Sequence, residues 1–270
     1  MQTKVIEPDF ETFSGPGHRD TMEDCALVQT TTRGRLIIMC DGHGPKGADV
    51  ATHIMARLAA GEECFMSAQE SEFFDLAAEA FEVVHVALKG DPKRDQMSGA
   101  AVLIARLIGS RALIAYAGDV EARLVSEHGW DHSRSLTPPH TLRNTSEVRR
   151  LCERHQLSQI THREGGHSYL THKERLLQIT RGVGTAHFDE VGHTCAADIA
   201  YADIGPKDLL VIGTDGMWEV MDRCRLAQRK WFDSGDPQSG AAFFKDRCVR
   251  AYRTRGYPLD NFACVVAGAA

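Results

Sequence analysis

Apolar and polar positions follow two distinct periods along this chain. Ala48, Ala51, Ile54, Met55, Leu58 and Ala59 recur at the three-and-four spacing that lays one apolar stripe along a helix, and Phe73, Ala77, Phe81, Val84 and Leu88 repeat it. Ser67, with Glu70 three residues on, predicts a capping box at the start of the second helix. A third helix is expected from Asn144, with Glu147 in its first turn and Val148, Leu151 and Cys152 turned inward; a fourth is expected over Ala241 to Tyr252. Elsewhere the apolar residues form short unbroken runs. Arg35 to Cys40 reads as a buried strand ending at Asp41-Gly42. Ala100 to Leu107, Arg111 to Ala117 and Ala122 to Ser126 read as a meander, with Gly109-Ser110 and Gly118-Asp119 as its turns. Leu209 to Gly213 and Phe262 to Ala267 complete the strands.

Helices that cluster in pairs, rather than alternating with strands, favour antiparallel sheets covered by helices. No repeat and no Gly/Ser or Pro-rich linker divides the chain, so a single domain over residues 1–270 is expected. Periodicity fades between about Pro138 and Gln178, where His140, His155, His162, His167 and His172 accumulate. This stretch is expected to be a partly mobile surface insertion with exposed histidines. His128 and His132 have an i, i+4 spacing, but no second pair of ligands accompanies them, so a metal site there is not expected.

Composition narrows the classes. The 270 residues are 43% hydrophobic and 25% charged, which excludes disordered and fibrous proteins. A net charge of -6 argues against nucleic acid as a partner. The longest stretches free of charged residues, Gln96 to Ala105 and Asn261 to Ala270, are far shorter than the roughly 20 residues a membrane helix needs. The first residues contain acids and no apolar core, so no secretory signal is expected there. The expectation is an intracellular monomer, cytoplasmic or also nuclear, with no membrane partner. Eight cysteines without a close pair read as reduced residues; Cys40, Cys152 and Cys264 sit in apolar patterns that suit burial.

The chemistry gathers in four acidic turns: Met22-Glu23-Asp24, Asp41-Gly42-His43-Gly44, Asp215-Gly216 and Asp260-Asn261. Taken singly, Asp-Gly at a strand end is usually only a turn. Several carboxylates at strand ends would repel one another unless a cation neutralised them. Oxygen ligands without a Cys or His cluster select a hard ion such as magnesium, manganese or calcium.

These residues carry a family resemblance. Gly17-His18-Arg19-Asp20-Thr21-Met22-Glu23-Asp24 resembles the G-x-R-x-x-M-E-D motif of the metal-dependent type 2C (PPM) serine/threonine protein phosphatases, and Asp41-Gly42-His43-Gly44 resembles their D-G-H-G turn. Ser98-Gly99-Ala100, Ala117-Gly118-Asp119, Leu136-Thr137 with His140, Arg181-Gly182-Val183-Gly184, Asp215-Gly216-Met217-Trp218 and Asp260-Asn261 resemble further family elements in the family's order.

The resemblance implies an α/β (α+β) four-layer αββα sandwich, two antiparallel β-sheets flanked by helix pairs, with a flap-like insertion at about 138–178. It implies hydrolysis of phosphoserine and phosphothreonine on protein substrates by a water or hydroxide bridging two metal ions, Mg2+ or Mn2+. Asp41 would bridge the ions, Glu23 and the Gly42 carbonyl would hold one, and Asp215 and Asp260 the other. Asp24 would order a bound water from behind. Asp119 would serve a weak third ion, Arg19 would grip the phosphate, and His43 would protonate the leaving oxygen. In bare sequence terms Arg19 could instead be a surface ion pair, and His43 could merely hydrogen-bond its own turn, each the lesser reading.

Several residues depart from the family pattern. Val120-Glu121 replaces Ser-Arg after Asp119, Glu219 stands for an aspartate, Pro139 replaces the acid of L-T-x-D-H, and Thr185 replaces the acid that often follows R-x-x-G. Two rival readings stay open from sequence: a pseudophosphatase, catalytically weak or inactive, acting as a binding or regulatory module, and a metal-dependent hydrolase of small phosphoesters.

Overall fold

The computed structural model describes residues 10–15, 17, 19–126, 133–164, 167–223, 236–254 and 260–269. His128, His132 and Cys224 lie outside these residues, as does the side chain of Tyr252.

The continuous apolar strands exist because both of their faces are covered. One sheet runs β12 (Asp198–Asp203), β5 (Arg111–Ala117), β4 (Gly99–Ile108), β3 (Gly34–His43), β2 (Asp24–Thr31), and the two-residue β11 (Val183–Gly184) pairs with β4. The other runs β1 (Phe10–Gly15), β14 (Phe262–Ala267), β13 (Leu209–Gly213), β6 (Glu121–Val125), β7 (Arg134–Ser135). All these ladders are antiparallel. Successive strand side chains point to opposite faces. Ile37 and Met39 of β3 therefore pack with Leu210 and Ile212 of β13 and Val265 of β14 between the sheets. Leu36, Ile38 and Cys40 point outward into a second core with α1 (Gly47–Ala59), α2 (Glu62–Ser67) and α3 (Glu70–Gly90). Leu209, Val211, Cys264 and Val266 form a third core with α6 (Asp215–Arg223) and α7 (Pro237–Thr254). The result is the expected four-layer αββα sandwich.

Local details differ from the sequence reading. The capping box of α3 is Gln69 with Glu72, not Ser67 with Glu70. The Ser67 hydroxyl instead donates back to the Glu63 and Cys64 carbonyls at the end of α2. Arg106, inside β4 and 1% exposed, donates from Nη1 to the Phe65 and Ala68 carbonyls at 2.7 Å each, pairing acceptors that α2 leaves open at its C-terminus.

The insertion carries more structure than its polarity suggests: α4 (Thr145–Cys152), α5 (Leu157–Ile160) and a small antiparallel sheet of β8 (Thr161–Glu164), β9 (His167–His172) and β10 (Arg175–Leu177). Leu151, Ile160, Leu170 and Leu177 anchor it to the core between the sheets. On α4, Glu147 and Leu151 are the buried residues, Val148 is half-buried and Cys152 is exposed. No helix among the described residues is long and apolar enough to cross a membrane.

Candidate active site

Antiparallel pairing brings every acidic turn to the same end of the sandwich. Asp24 opens β2 opposite Asp41 near the end of β3. Thr214 and Asp215 follow β13, and Asp260 and Asn261 precede its neighbour β14. Gly118 and Asp119 lie where the chain crosses from β5 in one sheet to β6 in the other. Arg19, Glu23, Asp41, Gly42, His43, Asp119, Asp215 and Asp260 line one cleft of about 790 Å3, walled on the flap side by Tyr169 and residues 174–179. A second hollow of about 690 Å3 shares Asp119 and Asp215 and continues past Trp218, Glu219 and Asp222.

Neutral side chains fix this end of the sheets. The Thr214 hydroxyl donates to Asp24 Oδ2 at 2.8 Å and accepts the Ala263 N–H at 3.0 Å. The Asn261 side chain accepts from the Glu23 N–H at 2.6 Å and donates to the Thr21 carbonyl at 3.0 Å. Two glycines give the acids room. A Cβ on Gly47 would stand 2.8 Å from Glu23 Oε1, and one on Gly42 would stand 2.6 Å from the Glu23 carbonyl oxygen.

The carboxylates oppose one another's ionisation. Asp41, Asp119 and Asp215 each keep an edge open to the cleft, yet the packed protein around them removes most of their hydration. Desolvation, then the charges of Asp24, Asp215, Asp119 and Asp260, hold Asp41 well above the usual carboxylate range. Desolvation, then Asp119, Asp260, Asp24 and Glu219, does the same to Asp215. Burial pushes Asp24 up to about 7 against the opposing Thr214 hydrogen bond, and Asp119 up to about 6. Glu23 is raised by desolvation as well. His43 is driven down to about 3 by desolvation and by His193, against a hydrogen bond to the Asp41 backbone, so the resting imidazole is neutral.

Arg19 supplies the nearby positive charge. Its Nη2 donates to Asp260 Oδ2 at 2.5 Å and its Nη1 lies 3.9 Å from Glu23 Oε2, with half of the side chain exposed. Burial alone would lower the guanidinium; the hydrogen bond and charge of Asp260 outweigh it and hold it above its ordinary value. Arg19 is thus an ion pair in this form, and it sits on the rim of the acidic cleft.

The donor set fits a hard divalent cation: crowded carboxylates and a glycine carbonyl, all oxygen, on rigid strand ends. Among the described residues no three His, Cys, Asp or Glu side chains already close around one point. Asp260 is turned to Arg19, so a cation would compete with the guanidinium for it.

Other expected positions have structural partners. Val120 packs between the sheets, and Glu121 pairs with Arg123, which also reaches Asp222 and lies 4.4 Å over the Trp218 ring. The R-x-x-G arginine, Arg181, is buried against Glu147 at 2.6 Å and Asp198 at 2.7 Å. His140, expected to be exposed, is fully buried. Its Nδ1 accepts the Gly118 N–H at 3.1 Å, its Nε2 meets Asp198 at 3.0 Å, and it stacks on Tyr116. His140 therefore clamps the turn that carries Asp119. His155 and His172 are half-buried rather than exposed, whereas His162 is exposed. Thr214 and Gly47 were not visible as site residues, because a strand-end threonine and a helix-initiating glycine carry no spacing signal of their own; Asn261 was read as part of the Asp260-Asn261 turn, without its supporting role.

An αββα sandwich with a carboxylate-lined cleft at the shared end of its two sheets is the architecture of the metal-dependent protein serine/threonine phosphatases. The chain belongs to the protein phosphatase 2C family: the profile described as Protein phosphatase 2C matches residues 9–254. Among curated relatives, the "Probable protein phosphatase 2C 72" of Arabidopsis thaliana is 26% identical over 257 residues, which covers 89% of this chain and 73% of that protein. The "Probable protein phosphatase 2C 41" of the same plant is 26% identical over 219 residues, and the match covers 68% of this chain and 58% of that protein. Among solved structures, a C. elegans sex determining protein superimposes with a TM-score of 0.72 at 17% identity, covering 97% of this chain and 64% of that one. The PPM Ser-Thr phosphatase MsPP of Mycobacterium smegmatis, solved in complex with cacodylate, gives 0.62 at 21% identity, covering 97% and 98%. Nothing in these likenesses supports the adaptor reading.

Proposed function

We propose that this chain hydrolyses phosphoserine and phosphothreonine in protein substrates with two divalent ions, Mg2+ or Mn2+, in the acidic cleft. The observation that supports this most is the convergence of Glu23, Asp41, Asp119, Asp215 and Asp260 at one open sheet end, where burial and neighbouring charge oppose the ionisation of Asp41 and Asp215. Asp41 would contact both ions, Glu23 and the Gly42 carbonyl one of them, and Asp215 and Asp260 the other. Asp119 and Glu219, whose charges act on each other, would offer a weaker third position. Bound there, the ions would supply charge neutralisation and activation of water for in-line displacement at phosphorus.

The chain's own groups carry the remaining work. With the carboxylates of the cleft committed to the ions, water would be the nucleophile. Arg19 exchanges its carboxylate partners for the substrate phosphate, whose paired oxygens suit a guanidinium fork. Desolvation and its acidic neighbours hold the Asp41 carboxyl well above the usual range, so a bound cation would favour its ionised form. His43, neutral at rest, would take up a proton once the phosphate dianion stands beside it at the cleft wall, and deliver it to the departing Ser or Thr oxygen.

Phosphate release from a phosphothreonine peptide and from p-nitrophenyl phosphate, measured against Mn2+ concentration, tests the reading. Metal-dependent turnover of both is expected. Turnover of the small ester alone would replace protein phosphatase activity with small-ester hydrolysis, and turnover of neither would overturn the proposal.

A further inference from the structure

Among the described residues, three other than glycine have positive φ: Lys173, Glu174 and Thr185. The first two are exposed in the turn between β9 and β10. Thr185 is different, being β-branched, 1% exposed and held at φ 56°, ψ 33°. Such a conformation is strained for a β-branched residue, and it persists only where the surroundings impose it.

Its surroundings do impose it. The Thr185 N–H donates to the Ser98 carbonyl at 2.9 Å, and its own carbonyl accepts the Phe188 N–H at 3.0 Å. Gly99 opposite has no space for a side chain, since a Cβ there would stand 2.1 Å from Thr185 Oγ1. Glycine would adopt this backbone without strain. What a glycine lacks is the hydroxyl, and Oγ1 lies 2.9 Å from Nε2 of His43. Thr185 does not line the cleft, whereas His43 does, so the hydroxyl holds the imidazole from its buried side.

We infer that Thr185 is the positioning residue of His43, anchoring Nε2 and so fixing the ring at the cleft wall, with the Nδ1 proton the one left to pass to the leaving oxygen of the substrate. The inference rests on His43 acting as general acid. In the imidazolium, Nε2–H donates to Oγ1. As the P–O bond breaks, the Nδ1 proton passes to the serine or threonine oxygen, leaving neutral imidazole with its remaining proton still on Nε2. This is the arrangement in which an acid–base histidine is oriented by a third group, with a hydroxyl in that role.

The test compares kcat on a phosphothreonine peptide, a poor leaving group, with kcat on p-nitrophenyl phosphate, at saturating Mn2+. Thr185→Val should lower the first about tenfold more than the second with KM little changed, a fraction of the 10² to 10⁴ typical of general acid catalysis. Thr185→Ser should restore most of the loss. Thr185→Gly should show the same selective loss without a fall in melting temperature, and it carries the test should Thr185→Val fail to fold. His43→Ala combined with Thr185→Val should be no slower than His43→Ala alone. Equal losses on both substrates in Thr185→Val and Thr185→Gly, with His43→Ala still selective, would overturn the inference while sparing the general acid. A non-selective His43→Ala would remove the general acid, and the role of Thr185 with it.

Discussion

Asp41 concentrates the conflict of the site in one residue. It is half-buried and faces four other carboxylates, and desolvation and their charges hold its carboxyl well above the usual aspartate range. Asp41→Asn keeps the shape and removes the ionisable group. The substitution should abolish turnover and yet raise the stability of the ion-free protein by about 1–2 kcal/mol, as expected where function holds a strained site. Denaturant melts in chelator together with an activity assay check this; an Asp41→Asn protein that is active, or less stable than the wild type, would contradict it. At this scale the acids themselves were legible, because each sits in a short motif at a strand end. Their supports were not. Thr214 and Asn261 act through hydrogen bonds that exist only once β13 and β14 are side by side.

Elements locate the chemistry through their termini, and here the strands were more legible than the insertion. The runs from Arg35, Ala100, Arg111, Leu209 and Phe262 show as unbroken apolar segments because each is covered on both faces. Residues 138–178 read as polar surface because ionic burial accompanies the few scattered apolar anchors, Leu151, Ile160, Leu170 and Leu177, which follow no single period. Glu147, on the buried face of α4, accepts from Arg181, Arg150 and Thr180. Burial would raise this carboxyl, but its hydrogen bonds prevail and hold it at about 2. Glu147→Ala would leave Arg181 charged with Asp198 and the Ala196 carbonyl as its remaining partners. The expected cost is about 3–5 kcal/mol in a denaturant melt, the range for a buried pair losing one partner. A loss under about 1 kcal/mol, the worth of an exposed pair, would show that solvent or Asp198 replaces the contact. The same network holds His140 and hence the Asp119 turn, so the insertion is joined to the site by the very residues that hid it in sequence.

For the whole molecule the balance of charge gives a pH dependence of definite sign. Carboxyls raised in the folded state, Asp24 to about 7 and Asp119 to about 6, stay protonated where the unfolded chain has released its protons. The folded form therefore binds more protons between about pH 4 and pH 7, and ion-free stability falls as pH rises through that window, by on the order of 2–4 kcal/mol. The depressed groups Glu147 and Asp198, both near 2, act oppositely and only in acid; their contribution is lost as pH falls from about 4 toward 2. Melting temperatures in chelator should drop from about pH 5 to about pH 8. Saturating Mn2+ should flatten the slope and add on the order of 5 °C at about pH 8, given about 2.7 kcal/mol at a hundredfold excess over Kd. A profile in chelator that is already flat would mean that the acids ionise independently.

If Asp41 joins two ion positions in one cleft, calorimetric titration of Mn2+ into chelator-stripped protein will show it. The wild-type chain should bind two ions, and Asp41→Asn should bind neither under the same conditions. Absence of binding by the wild type, or equal binding by both proteins, would contradict the account.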